Sequence, residues 1–173
     1  MRIISGLKKG KRFLPPNNLP VRPTTDRAKE GLFNILENRY FFENKNCLDL
    51  FSGTGNIAYE FASRGCQEVL AIDKNQKCIS YIERNSKELD IKIDIIKSEC
   101  LSYLNSCNKK FNFIFADPPY NYQLYKELVN IIYERKIIKK DGCLILEHNK
   151  DIQFNDSTEI RKYGGVYFSI FTF

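Results

Sequence analysis

The sequence predicts an α/β fold: a doubly wound sheet, mostly parallel, with an antiparallel C-terminal strand and an N-terminal β-hairpin. Three observations carry this. Short apolar, strand-like runs alternate with helix-periodic segments from Cys47 to Glu147. Cys47 to Phe51, the first such run, passes into Ser52–Gly55, whose two glycines stand two residues apart, and then into a helical pattern with Ile57, Phe61 and Ala62 on one face. Strand, Gly-rich turn and helix in that order open a ligand-binding βαβ unit. The last two strand-like runs flank Gly164-Gly165, as an antiparallel closing pair does.

Taken in order, Arg2–Ser5 and Lys11–Leu14 read as short strands joined by a lysine-rich turn, Gly6–Gly10. Pro15, Pro16, Asn17, Asn18 and Pro20 form an irregular linker. Thr24, Thr25 and Asp26 suit a helix N-cap, and Ala28, Leu32, Ile35 and Leu36 follow at helical spacing. After the Gly-rich turn and its helix come a strand at Glu68–Asp73, a helix over Asn75–Glu88 and a strand at Ile91–Ile96. A short helix at Glu99–Asn105 precedes a strand at Phe111–Ala116, and Asp117-Pro118-Pro119-Tyr120 closes that strand. Tyr122–Arg135 is helical, with Leu124, Leu128, Ile131 and Ile132 on one side; Cys143–Glu147 is the fifth strand of the series. Thr158–Tyr163 and Val166–Phe173 end the chain. Residues 1–22 therefore divide off as a basic arm and linker, and residues 23–173 as the domain.

Charge is unevenly placed. Arg2, Lys8, Lys9, Lys11, Arg12, Arg22, Arg27 and Lys29 face only Asp26 and Glu30 within the first thirty residues, so the whole net charge of +6 lies there. A basic segment on a neutral body is the footprint expected for a phosphate backbone. No run approaches the ~18 apolar residues of a membrane helix, and the N-terminus has no apolar stretch of signal-peptide length. The six cysteines are scattered without a C-x-x-C pair, which favours free thiols in a reducing cytoplasm over disulfides or a metal site. One histidine, His148, leaves little for histidine-based metal or triad chemistry.

Ligands of doubly wound sheets bind at the C-terminal strand ends. The polar residues read there are Asp49, Asp73, Glu99 and Asp117. Gly53 and Gly55 allow close backbone approach to a ligand, and the helix behind them presents free N–H groups and a partial positive charge. Asp73 lies 18 residues past Gly55, near the spacing of about 20 for an acid that takes ribose hydroxyls. It also suits a helix cap. Asp49, just before the glycines, makes electrostatic sense beside a cationic ligand. Glu99 fits equally an exocyclic-amine acceptor or a helix cap. In Asp117-Pro118-Pro119-Tyr120 the two prolines forbid helix and remove two N–H donors, leaving the Asp117 and Pro118 carbonyls free to face a site. With the Asp117 carboxylate and the ring of Tyr120 they suit a planar nucleobase amine, held by acceptors and stacked on an aromatic plate.

These motifs resemble class I S-adenosylmethionine-dependent methyltransferases with a Rossmann-like sheet. More narrowly, they resemble the RsmD family, which methylates guanine N2 in small-subunit (16S) ribosomal RNA. The resemblance runs through MRIISG, RPTTDRAKEGLFNIL (Arg22–Leu36), DLFSGTG (Asp49–Gly55), Glu60, SRG (Ser63–Gly65), IDKN (Ile72–Asn75) and DPPY. RPTTD narrows the reading to this family, whereas DPPY is shared with DNA adenine and cytosine N-methyltransferases. Tyr59 stands where a smaller or aliphatic residue is more usual, and Glu99 near where an Asp often meets adenine.

The resemblance implies a cofactor site at Asp49, Phe51, Gly53, Thr54, Gly55, Asp73, Lys74, Glu99 and Cys100. It implies catalytic positions at Asp117, Pro118, Pro119 and Tyr120, and RNA contacts by Arg2, Lys8, Lys9, Lys11, Arg12, Arg22 and Arg27. No metal is implied. The implied partner is ribosomal RNA or the small ribosomal subunit, met in the cytoplasm by a monomer. Three other readings stand beside it at this point: another nucleobase amino-methyltransferase acting on DNA adenine N6 or cytosine N4, a nicotinamide-dependent oxidoreductase, supported by G-x-G-x-x-A and Asp73, and a noncatalytic RNA-binding assembly factor.

Overall fold

The computed structural model describes residues 1–16, 19, 24–154 and 156–173. Its helices are α1 (Asp26–Glu37), α2 (Asn56–Ser63), α3 (Gln76–Glu88), α4 (Cys100–Ser106) and α5 (Tyr125–Glu134). Its strands are β1 (Asn46–Leu50), β2 (Glu68–Asp73), β3 (Asp94–Lys97), β4 (Phe111–Ala116), β5 (Ile138–His148), β6 (Glu159–Tyr163) and β7 (Val166–Thr172). They form one sheet in the order β3-β2-β1-β4-β5-β7-β6. β1 to β5 are mutually parallel, and β7 enters antiparallel between β5 and β6. The strand order reverses between β1 and β4, where doubly wound sheets bind their ligands. Asn46 and Asn112 fix that pair's start: each side-chain oxygen accepts from the other residue's backbone N–H, at 3.0 and 3.1 Å.

Side-chain alternation along the strands sorts the core into two layers. Cys47, Val69, Ala71, Phe113, Phe115, Cys143 and Ile145 pack under α1, α2 and α3. Leu48, Leu50, Leu70, Ile72, Ile114, Ala116, Leu144 and Leu146 pack against α4 and α5. All six cysteines are free and buried.

Most boundaries fall within one residue of the sequence expectation, and three differ by more. β3 begins at Asp94, because Asp90 takes a positive φ of 51° and the Ile91 N–H closes the end of α3 on the Ser86 carbonyl. α5 begins at Tyr125, because the chain leaving the prolines first turns, with the Tyr122 N–H on the Pro119 carbonyl. β5 starts at Ile138 and not at Cys143, since the polar run Lys139–Gly142 is a bulge within the strand. The β4 register jumps there from Phe111↔Ile138 to Phe113↔Cys143.

The N-terminal hairpin pairs through a single bridge, Arg2↔Arg12, flanked by Ile3 N–H to the Lys11 carbonyl and Phe13 N–H to the Met1 carbonyl. It is bound to the body. Ile3 and Phe13 enter the α1–α3 core layer, and the Phe13 ring meets Tyr59 edge-on at 5.0 Å. Tyr59, the unusual residue in the motif, is thus buried packing. The Glu60 carboxylate accepts from the Ile4 and Ser5 N–H groups at 2.9 and 3.0 Å. Gly6 (φ 81°) lies so close to α2 that a Cβ there would sit 1.8 Å from the Ser63 carbonyl oxygen.

Lys29 corrects the charge reading of the first thirty residues: it is fully buried and is no part of the basic surface. Its ammonium donates to the Arg2 carbonyl and to Asn56 Oδ1, both at 2.7 Å, and pairs with Glu60 at 3.2 Å. Arg64 pairs with Glu60 from the other side at 2.8 Å. Removing one partner from a buried ionic cluster leaves uncompensated charge. Glu60→Ala, which strands the Lys29 ammonium and two hairpin N–H groups and leaves Arg64 with Glu37 alone, should lower the unfolding free energy by ~3–5 kcal/mol in urea denaturation. A loss under about 1 kcal/mol would show that the cluster does not hold the hairpin.

Candidate active site

A cleft of about 840 Å³ opens at the C-terminal strand ends, between the Gly-rich turn, the start of α1, the DPPY segment and the β6–β7 turn. Strand alternation determines its chemistry. Asp49 follows Cys47, Asp73 follows Ala71, Asp117 follows Phe115, and Glu147 follows Ile145, each two residues beyond a side chain of the α1–α3 layer. All four acids therefore fall on one face of the sheet, at the ends of four adjacent strands, and all four line the cleft.

The turn after β1 is built around two of them. Phe51 takes φ 59°, a conformation costing on the order of 1–3 kcal/mol in a non-glycine residue. Gly53 and Gly55 follow at φ 54° and 75°. Asp73 Oδ2 accepts from the Gly53 N–H at 2.8 Å, and Oδ1 from the Asn75 N–H at 2.7 Å, so this acid both ties down the glycine turn and starts the segment into α3. Asp49 accepts from the Ala58 N–H inside α2 at 3.2 Å. Burial pushes its carboxyl up to about 8, the Ala58 N–H works against that, and the charge of Asp73 adds to it.

At the other end of the cleft, no donor among the described residues bonds the Asp117 carboxyl. Burial first, then the charges of Glu147 and Asp49, push it well above the ordinary carboxylate range. Glu147 is its lateral neighbour, since the β4–β5 register pairs Ala116 with Leu146 immediately before them. Burial raises Glu147 to about 7, and the Thr24 hydroxyl, which donates to Oε2 at 2.9 Å, pulls it back. Pro118 is buried, while Pro119 and Tyr120 are exposed on the cleft wall, Tyr120 at 69%. Tyr122 turns its ring edge-on to Phe51 at 5.2 Å. Its hydroxyl is buried and has no partner among the described residues.

The remaining cofactor-side positions divide. Phe51, Thr54, Lys74 and Cys100 line the cleft, Cys100 with its thiol raised by burial. Gly55 caps α2 and packs on Tyr59 and Ile82. Glu99 is exposed on the rim and accepts from the Ser102 N–H at 2.9 Å, which makes it the N-cap of α4. His148 is buried behind the site, between the Asn149 carbonyl and the Ser169 hydroxyl.

Of the basic positions, Lys9, Lys11 and Arg12 are exposed on the hairpin and Arg27 at the cleft mouth. Arg2 pairs with Asp26 at 3.0 Å and Lys8 with Asp90 at 3.3 Å. Arg22 lies outside the described residues. No group of acids, cysteines and histidine suited to a metal ion occurs among the described residues, and no helix of the described chain is long and apolar enough to cross a membrane.

Sequence reasoning missed Glu147, Thr24 and Tyr122. Glu147 was legible as the final residue of the fifth strand, carrying the same parity as Asp117. Thr24 read only as a cap, yet Thr25 caps α1, accepting from the Ala28 N–H at 3.3 Å, while Thr24 faces Glu147.

The family model described as Conserved hypothetical protein 95 matches residues 1–171. Ribosomal RNA small subunit methyltransferase D of Buchnera aphidicola (subspecies Acyrthosiphon pisum) is 35% identical over 150 residues, covering 86% of this chain and 78% of its own. The chain belongs to the RsmD family. The Escherichia coli K12 member of the same name is 28% identical over 148 residues, 85% of this chain and 74% of its own. Among solved structures, a hypothetical protein of Thermus thermophilus superposes with a TM-score of 0.90 at 23% identity, covering 100% of this chain and 99% of its own. The fold expected for the RsmD family, a class I methyltransferase sheet, is the fold observed.

The acid cluster makes a pH prediction. Between about pH 4 and pH 8 the folded chain keeps a proton on Asp49 that the unfolded chain has lost. Bound protons are then more numerous in the folded state, so this group's contribution is fully present below pH 4 and disappears as pH rises through 8. Asp49→Asn removes the titration and retains an acceptor for Ala58. Its stability relative to the parent protein should climb with pH across that window, by up to about 1.4 kcal/mol per pH unit. Parallel urea titrations at pH 5, 6, 7 and 8 check it; a constant difference means that Asp49 is ionised throughout.

Proposed function

We propose that the protein transfers the methyl group of S-adenosylmethionine to the exocyclic N2 of a guanine in small-subunit ribosomal RNA. The observation that carries the proposal is the Asp117 carboxyl, unbonded among the described residues, beside Pro118 in an acid-lined cleft.

The residues fit the cofactor. A volume of about 840 Å³ is in the ~300–1,000 Å³ range of small-molecule sites. Clustered acids whose ionisation is suppressed by burial and by one another gain from a cation placed among them. S-adenosylmethionine brings such charge on its ammonium and sulfonium, and when bound it supplies an electrophilic methyl group. The glycine backbone and Asp73 offer close approach and a carboxylate for ribose hydroxyls, and the unpaired Tyr122 hydroxyl offers a further polar contact in the cleft wall. A dinucleotide with its pyrophosphate would meet the same acids as repulsion, which disfavours the nicotinamide reading.

For the target base, the Asp117 carboxyl and the Pro118 carbonyl accept from the amine. Holding both N–H bonds draws the nitrogen lone pair out of ring conjugation and aims it at the methyl carbon, and the rate gain comes from positioning. Tyr120 stacks on the base. The methylated nitrogen is acidic enough to lose its proton without a strong base, in keeping with a cleft that His148 does not line. Lys9, Lys11 and Arg12 hold RNA phosphates, with Arg27 at the cleft mouth; Arg2 and Lys8 join by exchanging exposed ion pairs worth ~0–1 kcal/mol.

Two measurements test this reading. Asp117→Ala should abolish methyl transfer while calorimetry still finds saturable cofactor binding, since Asp73 and the glycine turn are retained. Methylated RNA at near-normal turnover would remove Asp117 from the reaction, and saturable NAD binding with none for S-adenosylmethionine would overturn the whole assignment. Lys9→Ala, Lys11→Ala and Arg12→Ala combined should weaken RNA binding and reduce the slope of log K against log salt by ~2–3, with cofactor affinity unchanged. Equal slopes would place the RNA on another surface.

A further inference from the structure

We propose that Glu147 is a second base-reading residue: it accepts the ring N1–H of the target guanine beside the amine held by Asp117, and so selects guanine over adenine and cytosine. This rests on the guanine reading above and goes beyond it by assigning the residue that chooses the base.

The placement comes from the sheet. Asp117 and Glu147 follow the paired residues Ala116 and Leu146 on adjacent parallel strands, and their parity puts both on the α1–α3 face. Both line the same cleft. Glu147 is 7% exposed, so it is a built part of the site and not a solvated rim charge. Its Oε2 is fixed by the Thr24 hydroxyl, while Oε1 takes no hydrogen bond among the described residues. Thr24 is held in turn: the Asn56 side-chain amide donates to its backbone carbonyl at 3.0 Å, and Lys29 anchors Asn56. The structure thus presents a buried carboxylate with one oriented oxygen and one open oxygen, one strand away from the amine acceptor.

Base chemistry supplies the rest. On the Watson–Crick edge of guanine the atom next to the amine-bearing carbon is a donor, N1–H. On adenine and cytosine the corresponding ring nitrogen is a bare acceptor. A carboxylate accepts and cannot donate when ionised. Beside guanine it gains a charge-assisted hydrogen bond; beside adenine or cytosine it opposes lone pair to lone pair in a dry site, a repulsive element that rejects the wrong base. Cationic charge from the cofactor in the same cleft favours the ionised form of Glu147. The DPPY segment alone, whose acceptors suit any nucleobase amine, makes no such distinction.

The test uses the full chain, S-adenosylmethionine and small-subunit ribosomal RNA, naked and in reconstituted particles. Mass spectrometry of the parent reaction first locates the methyl group. A second RNA then carries 2-aminopurine at the mapped position, which keeps the N2 amine but presents N1 as an acceptor. The parent protein should favour guanine by about 100-fold in kcat/KM. Glu147→Gln, whose amide can donate to a bare N1, should lose guanine activity, gain 2-aminopurine activity and shrink the ratio to about tenfold or less; any weakening of cofactor binding through the lost charge acts on both RNAs alike and cancels in the ratio. Thr24→Val, which frees Glu147 without altering charge, should shrink the ratio part-way and serves if Glu147→Gln fails to fold. An unaltered ratio in the folded variants overturns the role of Glu147 while leaving the guanine reading intact. A parent protein that methylates no guanine N2 overturns both.

Discussion

The buried pair of Lys29 and Glu60 is the constraint on which most of the molecule's arrangement depends. Glu60 sits in the middle of α2, the helix launched by the Gly-rich turn, and Lys29 in the first turns of α1. Desolvation lowers the Lys29 pKa and the charge and hydrogen bond of Glu60 raise it again, so neither group is tolerable there without the other. Each then uses its spare bonding capacity on a separate element. Glu60 collects two hairpin N–H groups and Arg64, while Lys29 collects the Arg2 carbonyl and Asn56. The hairpin, α1 and the start of α2 are consequently one rigid unit. The basic face of the hairpin and the cleft at the strand ends therefore keep a fixed separation, as docking a long polymer and one of its bases together would require under the proposed function.

The sheet contributes by parity. Parallel strands buried on both faces alternate between two core layers, and a single polar residue placed at the end of each strand inherits the orientation of the apolar residue two positions earlier. Four strands ending in acid therefore focus four carboxyls into one cleft. Left alone, such a cluster resists ionisation, which appears in the raised values at Asp49, Asp117 and Glu147. The destabilisation is local and is relieved by a ligand that carries positive charge. Under the proposed function, affinity for a cation and tolerance of a neutral amine would have the same origin.

Most of this was legible in the chain. Glu68–Asp73 and Phe111–Ala116 were readable to the residue because each is a short apolar run bounded by polar turns, and the glycines and DPPY marked strand ends that line the cleft. What escaped were features set by partners distant in sequence. Lys29 reads as one more surface cation until Glu60 and Asn56 close around it. The fifth strand reads as starting only at Cys143, because the polar residues Lys139–Gly142 hide the bulge that carries the strand back to Ile138. Glu147 closes a strand like any other polar residue until the β4–β5 register sets it beside Asp117. Glu99, on which the sequence left two roles open, is a helix cap on the cleft rim, and its capping bond depends only on a residue three positions away.

The six buried thiols have a consequence of their own. They are distributed over both layers, from Cys47 in β1 and Cys78 in α3 to Cys100 in α4 and Cys143 in β5, and burial raises Cys66, Cys78 and Cys143 to about 12. The reactive species in alkylation and oxidation is the thiolate, so at neutral pH these three native thiols are close to inert toward both. Modification must wait for opening. Each cysteine is then a timer for its own element, and the spread of their labelling rates maps which parts of the fold breathe alone and which open only when the whole chain does.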